Sequence, residues 1–223
     1  MGVFVIIPVK KLENAKSRLS PFLTQSERKQ FCLKMLEDIL KTVKSTKRID
    51  QIVVVSDDPE MFHIAKNFEA TYLRETKIGL NEAVSEAIGW CTEKEVTSAL
   101  VLPADIPLVT PMDLNRMLAL RKNASIVISP SRSGKGTNAL LLTPPNACQT
   151  FYGPYSFQRH LDEASKRRIS FRKFRSQRIA LDIDTVKDLT DFISQNRKET
   201  FTYKLLDKIG ISSRLVHAHN AGL

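Results

Sequence analysis

Val3-Phe4-Val5-Ile6-Ile7-Pro8 stands near the start of the chain without one polar side chain. An unbroken apolar run of this length marks a strand covered on both faces. It falls far short of the roughly 20 residues that a membrane span needs. No basic front and no small-residue cleavage site accompany it, so a first buried strand is expected rather than a signal peptide. Two further runs repeat the pattern, Gln51-Ile52-Val53-Val54-Val55-Ser56 and Ala99-Leu100-Val101-Leu102. Between them lie helical stripes. Thr24 precedes Glu27 by three residues, the spacing of a capping box, and Cys32, Leu36, Ile39, Leu40 and Val43 then recur on one helical face.

Working outward, the alternation continues. A short helix through Phe68 and a short strand over Ala70–Leu73 follow the second run. Asn81 is read as the cap of a helix carrying Val84, Ala87, Ile88 and Cys91. Thr110-Pro111-Met112-Asp113 supplies a cap, a first-turn proline and an acid for another helix. Ile126–Ile128 and Ala139–Leu142 read as strands, Ser156–Arg168 as a helix, and Ile169–Phe174 and Ile179–Ile183 as strands. Thr185 with Asp188 opens a helix, Lys198–Ile209 is helical, and the residues from 211 to 223 read as a loose tail. Strands buried on both faces and alternating with helices define an α/β layer fold with a mostly parallel sheet. No flexible linker divides residues 1–210, so one domain is expected.

The composition agrees. The chain has 223 residues, 42% hydrophobic and 26% charged, as in an ordinary globular protein. Three scattered cysteines, Cys32, Cys91 and Cys148, form neither a disulfide frame nor a zinc cluster, and a reducing cytoplasm is the expected compartment. The formal net charge of +10 favours anionic partners: nucleic acid, an acidic surface or small phosphorylated molecules.

In parallel sheets, ligands bind beyond the carboxyl ends of the strands. Four polar clusters fall there. Pro8-Val9-Lys10-Lys11-Leu12-Glu13-Asn14-Ala15-Lys16-Ser17-Arg18-Leu19 carries four cations suited to a triphosphate, and it is not a P-loop. Leu102-Pro103-Ala104-Asp105-Ile106-Pro107 places a carboxylate rigidly between prolines, as a Mg²⁺ ligand requires. Asp182 and Asp184 share one face of a strand by the period of two, and either offers a second carboxylate. Ser133-Gly134-Lys135-Gly136-Thr137-Asn138 and the later Tyr152-Gly153-Pro154-Tyr155-Ser156 combine glycines with hydroxyls, and Ser156 sits at a helix start that attracts phosphate. His63 and His160 read as surface or packing residues. His217 and His219 on the tail are poor metal ligands on their own. Lys166-Arg167-Arg168 and Arg172-Lys173-Phe174-Arg175 form a basic stretch without the signature of a nucleic-acid module.

Taken in order, these segments resemble the 2-phospho-L-lactate guanylyltransferase family, which acts in making the deazaflavin coenzyme F-420. The resemblance rests on Ile7-Pro8-Val9-Lys10 with Ala15-Lys16-Ser17-Arg18-Leu19, Val55-Ser56-Asp57-Asp58, Gly79-Leu80-Asn81-Glu82-Ala83, Leu102–Leu108, Gly136-Thr137-Asn138-Ala139-Leu140, Ser156-Phe157 with His160, and Leu181-Asp182-Ile183-Asp184-Thr185. It departs from the family pattern at Thr185-Val186-Lys187-Asp188 and at the bulky Tyr155.

The resemblance implies a three-layer, Rossmann-like fold of the nucleotide-diphospho-sugar transferase type. It implies Mg²⁺, GTP as donor, and transfer of GMP to (2S)-2-phospholactate with release of pyrophosphate. It implies nucleotide contacts from Pro8, Val9, Lys10, Lys16, Arg18, Asp57, Asn81 and Pro103. Thr137, Gly153 and Ser156 would hold the acceptor's phosphate, Asp105 with Asp182 or Asp184 the metal, and Asp105, Lys16 and Asp184 the reaction itself. Phosphoenolpyruvate, another small phosphorylated acid, or a sugar or cofactor phosphate are the alternative acceptors. A basic nucleic-acid-binding module is the alternative from another class, and neither nucleic acid nor membrane is the expected partner. The apolar residues of the last predicted helix (Phe201, Tyr203, Leu205, Leu206, Ile209) are compatible with a homodimer.

Overall fold

Val3–Pro8 is the centre of the molecule. In a computed structural model of the chain it forms strand β1, which lies between β2 (Gln51–Ser56) and β4 (Ser98–Val101) and runs parallel to both. The structure describes residues 2–13 and 15–220. Met1, Asn14 and residues 221–223, the end of the expected tail, lie outside the described residues, as does the side chain of His219. The other strands are β3 (Thr71–Arg74), β5 (Ile126–Pro130), β6 (Thr137–Leu142) and β7 (Phe171–Lys173). They make one sheet in the order β3-β2-β1-β4-β6-β5-β7. Strand β6 is antiparallel to both of its neighbours, and the remaining pairs are parallel.

The apolar runs are explained by the two cores. Val5, Ile7, Val54, Leu100 and Leu141 point to one face of the sheet, and Ile6, Val53, Val55, Ala99, Val101 and Leu140 to the other. Successive strand residues alternate faces, so a strand with both faces covered is apolar throughout. The first face is covered by α1 (Gln25–Lys44), α2 (Glu60–Asn67), α4 (Pro111–Ala119), α7 (Val186–Ser194) and α8 (Phe201–Lys208). The second is covered by α3 (Leu80–Glu93) and α5 (Ser156–Lys166). The capping boxes read at Thr24/Glu27, Thr110/Asp113 and Thr185/Asp188 all close. The three cysteines are free and buried.

Three local expectations are corrected. Ile179–Ile183 is not a strand: Gln177–Ala180 form a short helix, α6, and the chain then runs extended without a ladder partner. Ile179 O accepts instead from Asn138 Nδ2 at 2.9 Å, and Ala180 O from Arg132 N–H at 2.9 Å. Asn81 is not a cap, because α3 begins earlier, at a Gly79 whose φ of 132° suits glycine. The tail from residue 211 is helical, as α9 (Ile211–Asn220), and Arg214 clamps it to α1 through both oxygens of Glu27 at 2.8 and 2.9 Å. The apolar residues of α8 are used inside the chain: Leu206 is buried, and Tyr203, Leu205 and Ile209 pack against the same core.

Candidate active site

Parallel strands β1, β2 and β4 all end at one edge of the sheet, and antiparallel β6 begins there. The loops at that edge surround a cavity of about 570 Å³. Its wall includes Pro8, Val9, Lys10, Lys16, Pro103, Asp105, Thr137, Asn138, Asp182 and Asp184, so the three carboxylates expected to hold metal meet in one place. A second hollow of about 250 Å³ adjoins it across Pro8–Lys11 and reaches Asp57, Glu75 and Gly79.

The charged centre is built from three distant segments. Lys16 ends the β1 loop in the left-handed region, at φ 53° and ψ 41°, and starts a 3-10 turn over Ser17–Leu19. Its ammonium donates to Asp105 Oδ2 at 2.8 Å and to Asp184 Oδ1 at 2.6 Å. The lysine side chain is only 9% exposed. Burial alone would lower its pKa, but the two carboxylates more than reverse this and hold the ammonium charged. The acid loops are stitched together by Ile183 N–H donating to Asp105 O at 3.1 Å. Asp182 accepts from Asn138 Nδ2 at 3.0 Å. Burial, reinforced by Asp105 and Asp184, pushes the Asp182 carboxyl above its usual range against the pull of that bond.

Among the described residues no three His, Cys, Asp or Glu side chains form a ready cage for an ion. Magnesium takes one or two carboxylates and completes its shell with phosphate and water. Asp105 and Asp184 already converge on one cationic group, and Asp105 Oδ1 is buried with no partner among the described residues. A carboxylate oxygen so placed can take a cation or a hydrogen-bond donor.

Beside the carboxylates, Thr137 Oγ1 lies 3.2 Å from His160 Nδ1, while Phe151 N–H donates to His160 Nε2 at 3.0 Å. An amide only donates, so Nε2 accepts and the neutral ring carries its proton on Nδ1, where it donates to Thr137. Burial lowers the His160 pKa to about 4. His160 is therefore more than a packing residue, whereas His63 is exposed as expected. Asn81 spends both ends of its amide on Tyr152: Tyr152 N–H donates to Oδ1 at 2.6 Å and Nδ2 donates to Tyr152 O at 3.0 Å. It steadies the 152–155 turn, in which Gly153 has φ 118°. Ser156 is buried at the first turn of α5, and the bulky Tyr155 points outward, with Lys135 over its ring. Exposed Gly153 and buried Ser156 do not line the cavity, and Arg18 is exposed outside it. Cys32 lines the cavity, and burial raises its thiol to about 11, which keeps it protonated. Sequence reading left out Asn138, His160 and Tyr152 as site residues. The Asn138-Ala139 and Ser156…His160 segments were visible, but not the partners that give them a role.

The family model described as "Guanylyl transferase CofC like" matches residues 3–222. The chain belongs to that family. Across 216 residues it is 39% identical to a 2-phospho-L-lactate guanylyltransferase of Methanocaldococcus jannaschii, covering 96% of this chain and 92% of the relative. It is 37% identical over 190 residues to a phosphoenolpyruvate guanylyltransferase of Rubrobacter xylanophilus, covering 85% and 92%. Among solved structures, a protein assigned as a nucleotide-diphospho-sugar transferase from Desulfovibrio desulfuricans superposes with a TM-score of 0.80 at 15% identity, covering 96% and 99%. 4-Diphosphocytidyl-2C-methyl-D-erythritol synthase of Anaerococcus prevotii superposes with a TM-score of 0.61 at 12% identity, covering 88% and 96%. At these identities the two structures speak for the fold, and the fold is the expected one. This CofC-like guanylyltransferase is thus an α/β nucleotidyltransferase. Among its described residues no helix is long and apolar enough to cross a membrane.

Proposed function

We propose that the protein transfers GMP from GTP to 2-phospholactate, giving lactyl-2-diphospho-5'-guanosine and pyrophosphate. The observation that carries this reading is the convergence of Lys16, Asp105, Asp182 and Asp184 on one cavity that Thr137 also lines. Relatives named for that reaction extend over 96% of the chain. The acceptor's phosphate oxygen attacks the α-phosphorus of GTP in line. The bond from that phosphorus to the bridging oxygen of the β-phosphate breaks, and pyrophosphate leaves with the electron pair. A phosphate monoester is largely dianionic near neutral pH, with its second pKa at about 6, so no general base is needed. His160 suits that account, since its Nε2 is occupied by an amide and burial keeps it neutral.

Catalysis is then positioning and charge neutralisation. Asp105 with Asp184 or Asp182 would hold Mg²⁺, which supplies Lewis-acid polarisation of the reacting phosphoryl oxygens when bound. Lys16, with Lys10 at the rim, offsets the charge of the triphosphate. Thr137, oriented by His160, donates its hydroxyl proton to the acceptor's phosphate, and Asn81 holds the Tyr152 turn beside it. Pro8, Val9, Asp57 and Pro103 border the two hollows where the nucleoside would lie.

Phosphoenolpyruvate is the second reading, favoured by relatives named phosphoenolpyruvate guanylyltransferase that are 32% and 37% identical. The test is a matrix of the four nucleoside triphosphates against 2-phospholactate, phosphoenolpyruvate and 3-phosphoglycerate. Pyrophosphate release and the mass of the joined product are the readouts. Product with GTP and 2-phospholactate at the highest kcat/KM is expected. A higher kcat/KM with phosphoenolpyruvate overturns the acceptor, and no product with GTP overturns the donor.

A further inference from the structure

Lys16 is the one residue of the charged centre whose position conflicts with its expected task. A lysine meant for a triphosphate is found with its ammonium between two carboxylates, 2.8 Å from Asp105 and 2.6 Å from Asp184. The side chain is nearly enclosed, and its backbone lies in the left-handed region that non-glycine residues seldom occupy. The ammonium and a divalent cation are both hard cations seeking the same oxygens. Held 2.6–2.8 Å from one oxygen of each carboxylate, the ammonium leaves no room for an ion on those atoms. It also leaves Asp105 Oδ1 buried and, among the described residues, unpartnered, so the lysine satisfies the acidic pair only in part.

We propose that Lys16 and a divalent cation compete for Asp105 and Asp184, so that the metal is admitted when a triphosphate draws the Lys16 ammonium away. The inference rests on the assignment of these carboxylates to a metal. The single ammonium offsets only one of the two carboxylate charges, whereas a dication would match both. Without nucleotide, one ammonium sits against two carboxylates. With nucleotide, the ammonium faces phosphate oxygens and the carboxylates face the dication. The exchange orders the binding: the protein takes metal together with the polyphosphate and avoids holding a bare dication. A lysine suits this role better than an arginine, since it is a point charge on a flexible stem and not a planar fork fixed to one partner.

The probe is Mn²⁺ binding to the full, nucleotide-free chain, read by the electron paramagnetic resonance of the free ion. Lys16→Met is expected to bind Mn²⁺ at least about tenfold more tightly than the wild type, because the competing charge is gone. Its melting temperature should rise more on adding Mn²⁺ than that of the wild type. Adding Asp105→Asn to Lys16→Met should abolish the gain, which fixes it to this site. Lys16→Gln, which keeps a hydrogen-bond donor between the carboxylates, serves if Lys16→Met does not fold, with the same direction expected. Unchanged or weaker Mn²⁺ binding in the variant that folds overturns the proposal. If the wild type transfers GMP and the Lys16 variant gains no Mn²⁺ affinity, the exchange alone is lost. A gain in Mn²⁺ affinity in a protein that transfers no GMP sinks the proposed reaction and leaves the exchange standing.

Discussion

Lys16 Nζ lies 2.6 Å from Asp184 Oδ1 across 168 positions of sequence. The contact joins the loop after the first strand to the segment before α7, and Asp105 at 2.8 Å brings in the loop after β4. Three segments distant in sequence are therefore tied at one ammonium, which gives the site both its charge and its shape.

Asp105→Asn keeps the side chain's size while removing one negative charge. Turnover should fall by about a hundredfold or more, the scale of losing one preorganised electrostatic group in a reacting site. The far-ultraviolet circular dichroism should be unchanged. Near wild-type turnover in the folded variant would remove Asp105 from the chemistry.

Lys16→Ala should lower kcat/KM for GTP by about two to three orders of magnitude. Steady-state pyrophosphate release at varied GTP measures it. If both kcat and KM stay where they are, Lys16 does not meet the triphosphate.

Thr137→Val conserves shape and deletes the hydroxyl beside the carboxylates. The KM for the phosphorylated acid should rise about tenfold, the scale of one hydrogen bond to a charged group, with the KM for GTP little changed. Equal shifts in both constants would mean that Thr137 is not an acceptor contact.

His160 gives the protein an acid-sensitive stability. Its pKa is near 6.5 in the unfolded chain and about 4 in the folded one, so the unfolded chain binds the extra proton between those values. The contribution is complete above pH 6.5 and is lost as the pH falls toward 4, up to about 3 kcal/mol across that span. Urea unfolding over this range should show a shallower pH slope for His160→Gln. Identical slopes would mean that the native ring takes up its proton as freely as the unfolded one.

Arg178→Met strips the guanidinium from a buried carboxylate. Asp113 is 2% exposed and accepts from Arg178 Nε at 2.7 Å and Nη2 at 2.8 Å. Burial alone would raise its pKa, but Arg178, Thr110 and Ser176 hold it below the usual carboxylate range. The loss should cost about 2–3 kcal/mol by denaturant unfolding, with the fork-dependent part not restored by Arg178→Lys. Because Arg178 lies on α6, just before Asp182, KM values should rise as well. An unaltered midpoint would mark this pair as a surface contact of no weight.

Much was legible in the chain because it is local. Periods of two and of about four residues report burial on sheets and helices, and Thr24, Thr110 and Thr185 cap helices through a partner three residues on. The misreadings share one cause. Ile179–Ile183 looks like a strand, but its backbone is shared between distant partners: Ile179 O accepts from Asn138, some forty residues upstream, and Ile183 N–H donates to Asp105 O. The tail looks loose because its anchor, Glu27, is 187 positions from Arg214. Asn81 looks like a cap because its partner Tyr152 is 71 positions away.

By itself the sequence determined the alternation of buried strands and amphipathic helices, and with it which loops gather at the carboxyl edge of the sheet. The residues needed to handle phosphate were visible as types in those loops. Only the tertiary structure decided that Lys16 faces carboxylates, that His160 orients Thr137, and that Asn138 steadies Asp182. Burial patterns are written in neighbours along the chain, whereas an ion pair or a hydrogen bond between distant segments depends on the placement of three loops to within an ångström. That placement is set by packing across the whole sheet.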